Sequence, residues 1–155
     1  MVAGSTGAGK TTYAMKLAHE LGAVRFSIDE WMVTLFGPDQ PAGGIQFPWM
    51  MARITRCEAM IWSTVLQLGA RGVPTVLDLG FTKAEHRARV TGWANEAGLS
   101  PRLHYVDVPM EERWARVQRR NTQKGKTYRL EVTRPMFDFV ERMWEPPTAD
   151  ELARR

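Results

Sequence analysis

The spacing of apolar side chains divides the chain into short extended runs and longer helical ones. Over residues 10–21 the apolar positions Ala14, Leu17, Ala18 and Leu21 recur at helical spacing, and Gly22 supplies the stop. Residues 23–28 read as a short strand and residues 30–36 as a short helix. A loop rich in Pro and Gly follows, GPDQPAGGIQFP, and then a long helix over about residues 49–70. Ile54, Cys57, Ile61, Val65 and Leu68 form the core stripe of that helix. Residues 74–78 are an apolar strand that closes on VLD. Thr82-Lys83-Ala84-Glu85 has the capping-box pattern and opens a helix that ends at Gly98. Residues 103–108 read as the next strand. Pro109 suits the first position of the following helix, and Glu111 and Glu112 suit its first turn. That helix runs to about residue 121 and gives way to a polar break, NTQKGKTY. A last helix spans roughly residues 133–144, stopped by Pro146 and Pro147, and residues 148–151 repeat the capping-box pattern.

Strands alternating with helices predict an α/β fold, a parallel sheet covered on both faces. With four to five strands this is a three-layer α/β/α arrangement, and 155 residues suit a single domain over residues 1–155. Ligands of such sheets bind beyond the C-terminal ends of the strands. The positions to inspect are therefore those just after Ala3, Ile28, Leu77 and Val108.

Composition changes this picture little. Hydrophobic residues at 44% and charged residues at 25% are ordinary for a globular chain. No apolar run approaches the roughly 20 residues that cross a bilayer, and Gly and polar residues interrupt the N-terminus where a secretion signal would be apolar. One cysteine, Cys57, makes no internal disulfide and fits a reducing cytoplasm, and there is no Cys/His cluster for zinc. The net charge of +4 rests on 16 Arg against 5 Lys. Such an excess suits either phosphate-bearing ligands, which Arg grips bidentately, or a solvated basic surface.

The strongest chemical signal is Gly4-Ser5-Thr6-Gly7-Ala8-Gly9-Lys10-Thr11-Thr12, a complete P-loop between an apolar start and an amphipathic helix. Its glycines let backbone N–H groups turn inward, and the helix N-terminus favours anions. Lys10 is placed to reach the β- and γ-phosphates of ATP, and the Thr11 hydroxyl to hold Mg²⁺. Asp29, after the second strand in FSIDEWM, is a candidate general base as well as a candidate cap for the helix that follows, with Glu30 the weaker choice of base. Asp78, closing the third strand in VLDLG, matches a Walker B carboxylate for Mg²⁺. Leu79 follows it where many ATP-hydrolysing motors carry Glu, which favours phosphotransfer over hydrolysis. In MEERWARVQRRN, Arg113, Arg116, Arg119 and Arg120 crowd one helix, with Arg116 and Arg120 sharing a face, while Trp114 and Val117 face the core. With the polar segment after it, this helix reads as a lid over about residues 113–130; a solvated basic face gives the same pattern.

The P-loop, FSIDEWMVTLFG, VLDLGFTKAEHR, the RxxxRN of Arg116 to Asn121 and WEPPTADE stand in one order. Together they resemble the small P-loop kinases grouped with zeta toxins, chloramphenicol phosphotransferase and polynucleotide kinases. They are most similar to a bacterial group known as AAA-family ATPases or predicted kinases. The resemblance covers most of the chain. It implies that Asp29 is the base on the phosphoacceptor side and that Lys10, Thr11 and Asp78 serve ATP and Mg²⁺. It also implies that Arg116 and Arg120 belong to the lid, near the γ-phosphate and the adenine respectively. There are departures. Polynucleotide kinases carry an Arg shortly after the base, where this chain has Met32 and Val33. The family sheet has a fifth strand after the EPPTADE segment, and the sequence given stops at Arg155 before one. Only three residues precede the P-loop, so a native start several apolar residues earlier is expected.

The acceptor side is expected at about residues 37–56, with Asp39, Gln46, Trp49, Arg53 and Arg56 as candidates. Trp31, Phe36, Phe47 and Trp49 fit either an apolar acceptor pocket or the core. The expected activity is a cytoplasmic kinase that moves the γ-phosphate of ATP to a hydroxyl of a small molecule. The alternatives are a polynucleotide 5′-hydroxyl kinase, for which nucleic acid is possible but not favoured as partner, and a nucleotide-dependent ATPase or switch without an acceptor.

Overall fold

In the computed structural model, which describes residues 1–41, 46–125, 128 and 131–153, strands and helices alternate through most of the chain. The order is β1 (Val2–Ala3), α1 (Lys10–Leu21), β2 (Val24–Ser27), α2 (Ile28–Phe36), α3 (Phe47–Gly69), β3 (Thr75–Asp78), α4 (Ala84–Glu96), β4 (His104–Tyr105), α5 (Met110–Gln123), α6 (Arg134–Met143) and α7 (Ala149–Ala153). The four strands form two hydrogen-bonded parallel pairs, β1 with β4 and β2 with β3. β1 also lies against β3.

Alternation along the strands sorts the core into two layers. Val2 of β1 and Val76 of β3 pack on Ala14 and Ala18 of α1. Their neighbours Ala3 and Leu77 turn the other way, with Phe26, onto Cys57, Ile61 and Val65 of α3 and Val90 of α4. Helices therefore cover both faces, and the C-terminal ends of β1 and β3 open on the same side as the P-loop.

Several helix ends differ from the sequence expectation, each for a local reason. α2 begins at Ile28, and its cap is Ser27, whose Oγ accepts the Glu30 N–H at 3.4 Å. Asp29 is thus in the first turn of α2 and is not its cap. The expected capping box at residues 82–85 does not form. A distant carboxylate has replaced it: the Ala84 N–H donates to Glu145 Oε2 at 2.8 Å, and Lys83 Nζ donates to Glu145 Oε1 at 2.9 Å. The second box does form, with Thr148 N–H donating to Glu151 Oε2 at 2.9 Å and Glu151 N–H to Thr148 Oγ1 at 3.3 Å. Pro109 caps α5 from outside rather than occupying its first position.

The segment after α6 is held down by Arg87 of α4, whose side chain is fully buried. Its guanidinium donates to Glu151 Oε1 and Oε2 at 2.7 and 3.1 Å, to the Phe81 carbonyl at 3.1 Å and to the Glu145 carbonyl at 2.8 Å. These hydrogen bonds, the Arg87 guanidinium first, hold the Glu151 carboxyl below the usual glutamate range. A depressed carboxylate stabilises the fold above its ordinary pKa and loses that contribution as pH falls through the native value. Glu151→Gln leaves the Arg87 charge buried without its partner and is expected to cost about 3 kcal/mol at pH 7. Urea unfolding checks this, and the gap between the variant and the parent protein should close as pH falls below 4.5, the ordinary glutamate value.

Candidate active site

Residues 4–9 form the loop between β1 and α1, and its shape depends on glycine at Gly7. The backbone there has φ 81°, and a Cβ would stand 2.5 Å from the Arg113 carbonyl oxygen of α5. Gly9 has φ 96°, with the Arg116 guanidinium above it. Gly4 and Ser5 are buried beneath the loop, and Ser5 Oγ donates to Glu141 Oε2 at 3.4 Å. Thr6 to Thr12 line a cleft of about 840 Å³. That is near the upper end of the roughly 300–1,000 Å³ typical of ligand sites.

Lys10, Asp29 and Arg120 line this cleft, and Asp78 and Arg113 lie close enough to act on the Lys10 charge. Lys10 Nζ donates to the Ser5 carbonyl at 3.1 Å. Burial lowers the pKa of the Lys10 ammonium; Asp29 and Asp78 oppose that effect, and Arg120 and Arg113 add to it. Burial raises the pKa of the Asp78 carboxyl, against the pull of Lys10, a hydrogen bond from the Thr11 hydroxyl and the charge of Arg25. Burial also lowers the pKa of Arg120, and Asp29 acts in the opposite direction. Asp29 itself is exposed on the cleft wall and makes no hydrogen bond or ion pair among the described residues.

Arg25 of β2 went unremarked in the sequence. Its guanidinium donates to Asp78 Oδ2 at 3.3 Å and to Glu30 Oε1 at 2.6 Å. The parallel register that sets Ser27 opposite Asp78 brings these groups together. Glu30 is therefore committed to Arg25, whereas Asp29 faces the cleft. The available signal was a charged residue inside an otherwise apolar buried strand, which needs a carboxylate partner.

The arginines of α5 separate by facing. Arg113 is buried; it donates to the Val108 carbonyl at 2.8 Å, to the Thr6 carbonyl at 3.3 Å and to Glu141 Oε2 at 2.5 Å. Arg116 donates to the Ala8 carbonyl at 3.1 Å and to Glu112 Oε1 at 2.5 Å. Arg119 and Arg120 line the cleft, and the buried Nε of Arg120 has no hydrogen-bond partner among the described residues. The resemblance implied an adenine-side place for Arg120; in the structure its charge meets that of Asp29.

On the acceptor side, Trp49 lines the cleft. Trp31 and Phe36 pack on the core, and Phe47 is exposed. Arg53 lies over the Trp49 ring at 3.7 Å and donates to the Trp49 carbonyl at 3.1 Å. Arg53, Arg56, Asp39 and Gln46 are not among the residues lining the cleft. Residues 42–45 of the expected acceptor segment, and residues 126, 127, 129 and 130 of the expected lid, lie outside the described residues.

The fold and this site define a kinase-like P-loop protein. A family model described as an AAA domain matches residues 1–143, and the chain belongs to that family. No curated protein sequence matches it. Among solved structures, a chain of the Pnkp1/Rnl/Hen1 RNA repair complex is similar with a TM-score of 0.69 and 17% identity, over 92% of this chain and 42% of that one. A candidate kinase from Chloroflexus aurantiacus gives a TM-score of 0.66 and 17% identity, over 90% and 73% of the two chains. This chain thus spans less than half of the RNA repair chain, and at these identities the likeness is one of fold. Among the described residues no helix is long and apolar enough to cross a membrane.

Gly7→Ala tests the loop. The methyl group meets the Arg113 carbonyl, a backbone atom that cannot swing aside, in a conformation that side chains rarely adopt. ATP binding measured by calorimetry should weaken by about 100-fold or more, roughly 2.7 kcal/mol.

Proposed function

We propose that the protein is an ATP-dependent phosphotransferase that moves the γ-phosphate of ATP to a hydroxyl of a small-molecule acceptor. The observation that carries this reading is the contrast between two neighbouring carboxylates. Glu30 is tied to Arg25, while Asp29 faces the cleft beside Lys10 and Arg120 with no ion pair of its own among the described residues. A carboxylate so placed can accept the proton of an acceptor hydroxyl.

The residues present fit a magnesium nucleotide. The loop through Gly7 and Gly9 seats against α5 because Gly7 carries no Cβ, and Lys10 stands at its end. Thr11 and Asp78 supply one hydroxyl and one carboxylate, a donor set suited to Mg²⁺ shared with phosphate oxygens. Bound there, the ion would neutralise charge on the β- and γ-phosphates. In the transfer, the acceptor oxygen forms a bond to the γ-phosphorus as its proton passes to Asp29. The bond from that phosphorus to the β–γ bridging oxygen breaks, and its electron pair leaves with ADP. Arg116 and Arg120 neutralise charge on the transferring group, with residues 113–130 acting as a lid on a single domain.

Asp29→Ala should lower transfer of labelled γ-phosphate by about 10²–10⁴-fold and leave ATP affinity within a few-fold. A switch without an acceptor would keep full function in that variant. Label appearing only as free phosphate, unchanged by nucleosides, sugars, aryl alcohols or 5′-hydroxyl oligonucleotides, sinks the phosphotransfer reading. Arg25→Met frees the Asp78 and Glu30 carboxylates from their shared partner. It should lower kcat about 10–100-fold, the usual penalty for losing a group that orients a metal-site ligand. Steady-state kinetics on variant protein shown by its melting curve to be folded would check this.

A further inference from the structure

The two sides of the cleft differ in charge. Its cationic lining, Lys10, Lys16, Arg116, Arg119 and Arg120, comes entirely from α1 and α5. The opposite wall consists of Met32 and Val33 of α2, Gln40 of the following loop, and Trp49, Met50 and Ile54 of α3. Arg53 of α3 does not line the cleft: it stacks on Trp49 at 3.7 Å, faces Phe36 at 5.5 Å and donates to the Trp49 carbonyl, while its buried Nε has no partner among the described residues. Residues 42–45 are Ala-Gly-Gly-Ile in the sequence and bring no charge.

We infer that the acceptor is a neutral alcohol with an apolar, aromatic body, which packs on Trp49, Met50, Ile54 and Met32 while its hydroxyl meets Asp29. This rests on the phosphotransfer reading of the cleft and narrows it. A phosphodiester chain needs Lys or Arg at its phosphates, since neutralising them supplies most of its binding. Met32, Val33, Trp49, Met50 and Ile54 offer none; burying a phosphate against them would leave its charge unpaired. An aromatic ring gains by the same contact, because large apolar walls with few polar groups hold apolar ligands. Gln40 supplies an amide that can donate or accept one orienting hydrogen bond. The triphosphate takes the cationic side, leaving this wall as the part of the cleft with room for a second molecule.

Two measurements on the same panel test the inference: neutral aryl-substituted alcohols, glucose, glucose 6-phosphate and a 5′-hydroxyl oligonucleotide. The first is equilibrium binding in the presence of Mg²⁺ and a non-hydrolysable ATP analogue, read by calorimetry. Aryl alcohols should bind most tightly, and Trp49→Ala should weaken them about 10-fold or more, as removal of a buried aromatic anchor does. Trp49→Phe should restore most of the loss. Met50→Lys, which adds a cation to the wall, should weaken aryl alcohols and tighten glucose 6-phosphate, with the analogue's own affinity kept as the control for folding. The second measurement is kcat/KM for label transfer. A preference for the oligonucleotide or the sugar phosphate overturns the inference and leaves phosphotransfer standing. If no acceptor takes label, phosphotransfer fails and the acceptor assignment falls with it, even where aryl alcohols bind and are lost in Trp49→Ala; label taken from ATP by aryl alcohols in preference to the rest of the panel upholds both. An absence of aryl-alcohol binding overturns it.

Discussion

The contact between the phosphate loop and α5 is the constraint on which the site depends. Gly7 brings the loop so close to the Arg113 carbonyl that no side chain fits between them. The Arg113 side chain then turns back to the Thr6 carbonyl and to Glu141 of α6. A buried charge pair contributes little net stability over apolar residues of the same shape, but removing one partner is costly. Its value here is positional. One guanidinium fixes the loop, the start of α5 and the face of α6 together, and Arg116 follows one helical turn later over the Ala8 carbonyl. The basic wall of the cleft is thus tied at its base to the sheet, through the loop after β1 and the pairing of β1 with β4.

A second bracket works from the other edge. β2 and β3 pair in parallel register, so Arg25 reaches Asp78 on one side and Glu30 on the other. Asp78 at the strand end and the first turn of α2 are therefore oriented by one residue. Ser27 caps α2, so Asp29 has no cap to make; it makes no hydrogen bond or ion pair among the described residues and meets Lys10 and Arg120 only through their charge across the cleft. A residue excluded from local roles in this way is available to a ligand. Position after a strand already favoured Asp29 over Glu30, and the pairing of Glu30 with Arg25 supplies a physical reason for that preference.

What the sequence revealed follows from the range of the interactions involved. α1 could be bounded to the residue because its signals are local: helical spacing, and Gly22 in the left-handed conformation that closes the helix. The α3 stripe was equally plain, and Cys57, Ile61 and Val65 are buried as expected. The two capping boxes have the same pattern, yet only the one at Thr148 forms. At Ala84 the N–H is taken by Glu145, a carboxylate 61 residues away, and no local pattern contains that competition. The arginines of α5 were half legible. Arg113 lies four residues before Val117, so helical spacing put it on the buried face, but its charge drew attention to the cleft instead. The aromatics were not separable at all, since Trp49 differs from Trp31 only in which neighbours the fold supplies.

The charge distribution of the cleft has a further consequence for how its two ligands relate. Burial works against the charged forms of both Lys10 and Asp78. A polyphosphate beside Lys10 favours its ammonium, and a divalent cation beside Asp78 favours its carboxylate, so each half of a magnesium nucleotide reverses the effect of burial on its own partner. Arg120, whose buried Nε has no acceptor among the described residues, would gain from the same polyanion. On the cationic side, a bound magnesium nucleotide would therefore offset the effect of burial on these groups. The wall of Met32, Trp49, Met50 and Ile54 has no such demand. On the phosphotransfer proposal, shape and apolar contact would govern acceptor binding there, and nucleotide and acceptor would meet beside Asp29.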